Sequence, residues 1–154
     1  RPDRRRSSIM IHEPTAVISS QIVPNNERAL FLCRLFGSLT PYGENNIFNQ
    51  ARRLCKEYDG GSWKYIKLSI GGGYLVPECA EYFNVSVPGN YFEGELSADA
   101  TGIVLTLFTL NALIFLAWDK KWHNAQEELI KQSERLKGYA SQHKEKVKIF
   151  AAID

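Results

Sequence analysis

The chain has 154 residues, 44% hydrophobic and 23% charged, which is enough for one domain with its own core and too apolar for a chain disordered throughout. Its 19 basic and 17 acidic residues give a net charge of +2, but from Ile9 onward 15 basic residues face 16 acidic ones. A body so close to neutrality excludes both a protein that grips DNA by massed phosphate neutralisation and one that imitates DNA with a dense acidic surface.

The opening Arg1-Pro2-Asp3-Arg4-Arg5-Arg6-Ser7-Ser8 holds four arginines. Residues 1–9 read as a disordered tail or upstream sequence ahead of Met10, the only methionine, and residues 10–154 as a single domain. No apolar segment follows the basic head, so no signal peptide is expected. Cys33, Cys55 and Cys79 are odd in number and form no C-x-x-C pair, which argues against a disulfide framework and a structural zinc site and fits reduced thiols in a cytoplasm.

In chain order, Thr15 to Val23 is β-branched and ends at Pro24, which predicts a short strand. Asn25 is placed to cap a helix running to Cys33 or Phe36 and closed by Gly37. Ser38 to Glu44, with Pro41 and Gly43, reads as a loop. Asn46 then caps a helix whose apolar face is Ile47, Ala51, Leu54, Cys55 and Tyr58, ending at Asp59-Gly60-Gly61. The run from Trp63 to Ile70, the turn Gly71-Gly72-Gly73 and the return Tyr74-Leu75-Val76 predict a β-hairpin. Pro77 to Tyr82 is taken as a short helix. Asn84 to Val87 and Tyr91 to Leu96 follow as strands. Ala100 to Trp118 carries no charge and is long enough to cross a membrane. Ser97 as its cap, Asn111 within it and a small stripe of Gly102, Thr106, Thr109 and Ala117 favour a helix buried in a soluble core. Past Trp122 a narrow seam of Ala125, Leu129, Gln132, Leu136 and Tyr139 predicts a further helix. A last one near Lys144 to Ala151 gathers Val147, Phe150 and Ala151. The fold class is α+β: a small antiparallel sheet of three to four short strands, including the Gly-rich hairpin, packed with several helices, one long and buried.

No complete catalytic or metal site assembles. The glycine run lacks the lysine and hydroxyl of a phosphate loop and leads into a strand, not a helix. His12, His123 and His143 are unpaired at ligand spacing and read as exposed or capping residues. Glu93 and Glu95 project to one face of a strand without a third partner. Cys55 falls on an apolar helix face. Arg52, Arg53 and Lys56 form a basic helix face, with Lys64 and Lys67 near it, that is compatible with weak phosphate contact. No enzyme activity and no cofactor are expected.

Two stretches resemble the ArdB/KlcA antirestriction family. One is Ala51-Arg52-Arg53-Leu54-Cys55-Lys56-Glu57-Tyr58 with Gly61-Ser62-Trp63-Lys64-Tyr65 and Leu68 through Pro77. The other, Asn90-Tyr91-Phe92-Glu93-Gly94-Glu95-Leu96-Ser97-Ala98-Asp99-Ala100-Thr101-Gly102-Ile103-Val104, is the specific part. Arg28, Phe31, Leu32, Phe36-Gly37 and the terminal Ala152-Ile153-Asp154 extend the likeness over most of Met10 to Asp154. Cys33 departs from it, standing where the family commonly has proline. The resemblance implies a cytoplasmic protein of a bacterial host, carried by mobile elements, that acts without catalysis against type I restriction enzymes, directly or indirectly. With the charge reading, it implies an indirect, non-mimic inhibitor, with a weakly DNA-binding accessory protein as the alternative. The candidate interaction surface is Arg52, Arg53, Trp63, Tyr65, Gly72, Tyr74, Asn90, Phe92, Glu93, Glu95 and Asp99. Type I enzyme, weak DNA contact and a homodimer are the candidate partners, and no membrane is expected.

Overall fold

A computed structural model describes residues 16–154. The expected tail over residues 1–9, Met10, His12 and the start of the expected first strand lie outside the described residues. The elements in order are β1 (Ser20–Ile22), α1 (Arg28–Phe36), α2 (Thr40–Leu54), β2 (Trp63–Leu68), β3 (Gly73–Pro77), β4 (Tyr82–Val87), β5 (Phe92–Ser97), α3 (Ala98–Asp119), α4 (His123–Ala140) and α5 (Lys146–Ile153). The α+β reading holds, and the strands divide into two antiparallel sheets, β1-β2-β3 and β4-β5.

Helix α3 contains the uncharged run, and α4, β3, α2 and α5 supply most of its cover, with β4 and β5. Ala100, Ile103, Val104, Leu105 and Leu110 are fully buried. Helix α3 meets the apolar length test for a membrane span, yet 67% of its most apolar window is buried inside the fold. Ser97 caps it as expected, its Oγ accepting from Ala100 N–H at 3.1 Å. The N-terminal half of the small stripe, Gly102 and Thr106, is laid on β3. Gly102 sits against the Leu75 carbonyl, and a Cβ there would stand 2.9 Å from Val76 Cα. One turn on, Thr106 Oγ1 accepts from Leu75 N–H at 3.1 Å. This explains why β3 is buried at all five positions, whereas β4 alternates exposed and buried.

Three threonines of α3 are fully buried, but the Thr101 and Thr109 hydroxyls have no hydrogen-bond partner among the described residues. A buried, unsatisfied hydroxyl costs about 1–3 kcal/mol. Thr109→Val is therefore expected to raise the urea midpoint by the equivalent of about 1 kcal/mol. The same change at Thr106 strands Leu75 N–H and is expected to lower it by at least as much. Shifts of the same sign at both positions would contradict the assignment.

Several expectations are corrected. Asn25 does not cap α1: Asn25–Glu27 is a 3-10 turn after Pro24, and α1 has no side-chain cap. The loop expected at Ser38 to Glu44 is largely helix, so Asn46 is interior rather than a cap. Pro41 sits in the first turn of α2, where its missing N–H costs nothing. Gly43 faces the Phe36 ring so closely that a Cβ would stand 2.6 Å from it. Helix α2 ends at Leu54, short of the glycines, because Cys55 switches to extended backbone and bridges Val85. Lys56 N–H then donates to Asn84 O at 3.2 Å, and Glu57 accepts from Asn84 N–H at 2.7 Å. No helix forms from Pro77 to Tyr82: Glu78 N–H extends the ladder to Ser62 O, and β4 begins at Tyr82. Helix α5 turns Ile149 and Ala152 inward, leaving Val147 76% exposed.

Candidate functional site

The expected hairpin forms, but β2 ends at Leu68 rather than Ile70, and Gly73 opens β3 rather than belonging to the turn. Trp63 pairs with Pro77 and Lys67 with Gly73, and Ser69 to Gly72 form the turn. Gly71 (φ 95) and Gly72 (φ 72) occupy the left-handed region that suits glycine. The turn packs against α4, where a Cβ on Gly72 would collide with Gln132. Beside it a groove of about 210 Å³ runs between α1 and the turn, with Arg34, Lys67 and Glu27 on its walls. Glu27 and Lys67 are 4.0 Å apart, so much of its charge is matched.

Of the candidate surface residues, Trp63 and Tyr74 are buried, 4% and 1% exposed. Trp63 packs edge-on against Tyr58 and donates Nε1–H to its hydroxyl at 3.2 Å. Tyr65 is half-buried under the Arg28 guanidinium, 4.6 Å from its ring centre. Burial pushes the Tyr65 phenol above its ordinary range, with Glu44 adding to the shift and Arg28 opposing it. Arg52 and Arg53 are exposed and engage Asn49 and Gln50 on their own helix. Asn90 ties the β4–β5 turn to α5, donating to Ala152 O at 2.6 Å and accepting from Phe92 N–H at 3.0 Å. The half-buried Phe92 ring lies across Gly94. Glu93 and Glu95 point to solvent. Glu93 shares a shallow recess with Lys56, Asn84 and Ser86, so one member of the basic face meets one of the acidic pair. Tyr91, at φ 61 and 94% exposed, is the most accessible side chain of the segment; sequence reasoning missed it.

The two signature stretches meet at the part-buried Asp99. Tyr74 of β3 donates its hydroxyl to Asp99 Oδ1 at 2.8 Å. His143 Nε2 lies 2.9 Å from Oδ2. Glu145 N–H donates to His143 Nδ1 at 3.0 Å, which fixes Nδ1 as acceptor and places the imidazole proton on Nε2, facing Asp99. The Glu145 carboxylate turns back to accept from Ser97 N–H at 2.9 Å and from the Ser97 hydroxyl. Tyr139 completes the cluster, its ring 5.7 Å from Tyr74 and 6.3 Å from His143. His143, expected to be exposed or capping, has a side chain only 7% exposed. Its partner Asp99 lies 44 positions away, a separation with no local signature in the sequence.

Burial works to raise the Asp99 carboxyl, but hydrogen bonds from His143 and then Tyr74 outweigh it and hold Asp99 below its ordinary 3.8. Burial, with the Asp99 carboxylate adding, pushes the Tyr74 phenol far up. A histidine beside an aspartate suggests part of a hydrolytic triad, but Glu145 N–H occupies the second ring nitrogen of His143, the Ser97 hydroxyl is taken by Glu145, and the Tyr74 hydroxyl on Asp99 is a phenol held protonated. Cys55 is no better placed: burial, with Glu57 and Cys79 adding, pushes its thiol up to about 12. Among the described residues no three His, Cys, Asp or Glu side chains cluster to hold a metal ion. The Asp99 cluster is thus a clamp between the N-terminus of α3 and the α4–α5 connection.

The family described as Antirestriction protein matches residues 56–154. An antirestriction protein KlcA of Escherichia coli is 42% identical over 138 residues, covering 89% of this chain and 95% of its own. A second KlcA of the same organism is 38% identical over 144 residues, covering 92% and 96%. The solved structure of the KlcA and ArdB proteins, described as a novel fold with antirestriction activity against type I DNA restriction systems in vivo but not in vitro, matches with a TM-score of 0.80 at 39% identity, over 92% of this chain and all of its own.

Proposed function

The chain belongs to the antirestriction protein family, and from that membership we propose that it protects incoming plasmid or phage DNA by inhibiting type I restriction in the cytoplasm of a bacterial host, without catalysis and by an indirect route. The observation that carries the reading is the 39%-identical structural match to proteins active in vivo but not in vitro. Activity that vanishes when the purified components are combined calls for a further cellular component. The near-neutral body supports the same view, since it lacks the dense acidic surface needed to occupy a DNA groove. Within this reading the accessible part of the candidate surface is Arg52, Arg53, Glu93 and Glu95 with Tyr91.

The alternative, a weakly DNA-binding accessory protein, keeps one supporting observation: Arg52 and Arg53 are exposed and, among the described residues, bond only to neutral side chains of their own helix. One experiment separates the two. Plating of unmodified phage on cells carrying a type I system is measured with and without the chain, beside salt-titrated duplex DNA binding. Protection with negligible DNA affinity at low salt is the expected result. Affinity that falls steeply as salt rises would favour the accessory reading, and absence of protection would overturn the antirestriction assignment.

A further inference from the structure

Helix α3 begins at the Asp99 clamp, and its other end, roughly 30 Å away at 1.5 Å per residue, carries an aromatic corner that none of the interactions above uses. Phe115 is 63% exposed, Trp118 65%, Trp122 42%, and Tyr42 of α2 55%. Phe115 and Trp118 share one flank of α3. Trp122 and Tyr42 wall a recess of about 480 Å³ that reaches down to Leu39. Trp122 and Tyr42 thus border the concave floor, while Phe115 and Trp118 stand exposed on the last turns of α3 that lead to Trp122; exposed aromatics beside a recess mark binding surfaces, because such side chains are otherwise buried.

The surroundings are cationic. Lys120 and Lys121 are exposed in the α3–α4 turn and make no ion pair among the described residues. Lys121 holds φ 61, a left-handed conformation that glycine would adopt at less cost. Helix α4 opens with His123, has no side-chain cap and carries no acid in its first turn, so its positive end is unopposed. Asp119 is the single acid from Trp118 to Gln126.

We infer that this corner docks a segment of another protein in which apolar side chains are flanked by carboxylates. The recess and rings receive the apolar anchors, while Lys120, Lys121 and the start of α4 receive the acids. Two lysines opposed by Asp119 offer too few phosphate contacts for a polynucleotide track, whereas an apolar recess with a charged rim suits a protein hot spot. The inference deepens the indirect reading above and rests on it for the partner being a cellular protein.

The test replaces Trp118→p-benzoylphenylalanine and irradiates intact cells, then maps the adduct, with Lys120→Glu/Lys121→Glu and Lys121→Gly made in parallel. Expected is an adduct to a protein segment rich in Asp or Glu beside apolar residues. It should weaken at least about tenfold in the double charge reversal, and phage protection should fall with it while the melting temperature stays unchanged. Lys121→Gly relieves the left-handed lysine and is expected to keep or raise the melting temperature, which shows the turn is not needed as lysine for folding. An adduct to nucleic acid, to a second copy of the chain or to a segment without carboxylates would overturn the inference, as would no adduct or one indifferent to charge reversal. Loss of protection by the unaltered chain would sink the antirestriction reading alone, because the adduct still decides the corner.

Discussion

Gly102→Ala is expected to destabilise the protein by at least about 2 kcal/mol, although alanine is the better helix former by about 1 kcal/mol. The position lies in the first turns of α3, where helix propensity alone predicts a gain. Tertiary packing reverses the sign. An alanine Cβ would land on the Leu75 carbonyl oxygen, 2.9 Å from Val76 Cα and 3.0 Å from a Val76 methyl. Two of these three neighbours are backbone atoms of β3 and cannot rotate away. The helix must therefore lift off the strand, stretching the Thr106 to Leu75 hydrogen bond one turn further on. A urea melt reads this as a lower midpoint, and a thermal melt as a fall of roughly 4–8 °C for a chain of this size. Unchanged or increased stability would mean that α3 and β3 are not in backbone contact.

That glycine also shows what the sequence could and could not convey. The stripe of Gly102, Thr106, Thr109 and Ala117 is readable on a helical wheel, and it is buried as a face. Nothing local names β3 as what it packs on. The hairpin was legible because glycines flank aromatic and β-branched runs, a strictly local signal. Its aromatic side chains were misplaced because β3 is covered on both sides, so Tyr74 shows no alternation to mark it as interior. Pro41 and Gly43 misled for another reason. Both count as helix breakers by composition, yet one occupies a first turn and the other accommodates a neighbouring ring. Only position within the helix separates those cases from true breaks.

The segment from Gly94 to Ala100 is the most specific part of the family likeness, and its structural work is dense. Gly94 accommodates the Phe92 ring, Leu96 is fully buried, Ser97 caps α3 while binding Glu145, and Asp99 gathers Tyr74 and His143. Sequence identity here need not mark a contact surface. It marks the junction where a strand becomes the central helix and where the C-terminal region is fastened. The exposed residues that a partner can reach lie before this run or at its start, Tyr91 and Glu93 ahead of it and Glu95 at its second position, and in the aromatic corner at the other end of α3.

Asp99→Asn is expected to cost about 2 kcal/mol and to flatten the acid limb of the stability profile. The carboxylate accepts from two donors at once, Tyr74 hydroxyl and His143 Nε2–H. An asparagine offers one oxygen and one amide: with the oxygen on His143 Nε2–H, the amide meets the Tyr74 hydroxyl, which can accept it only by turning its own proton away from the carboxylate's place, so one donor loses its acceptor. The histidine cannot resolve the conflict by moving its proton to Nδ1, because Glu145 N–H already points there. A stranded donor among groups this buried costs about 1–3 kcal/mol, and the 43% exposure of the Asp99 side chain keeps the figure from the upper end. The pH dependence follows from the direction of the shift. Asp99 is held below 3.8 in the folded protein, so its stabilisation is present above the unfolded value and is lost as pH falls through the folded one. The unaltered protein should therefore lose stability below about pH 4 more steeply than Asp99→Asn, and the gap between them should narrow in acid. Chemical denaturation at a series of pH values from 7 down to about 3 reads both effects. A gap that stays constant across that range would show that Asp99 acts through shape alone, and a gap that widens in acid would reverse the assignment of its charge.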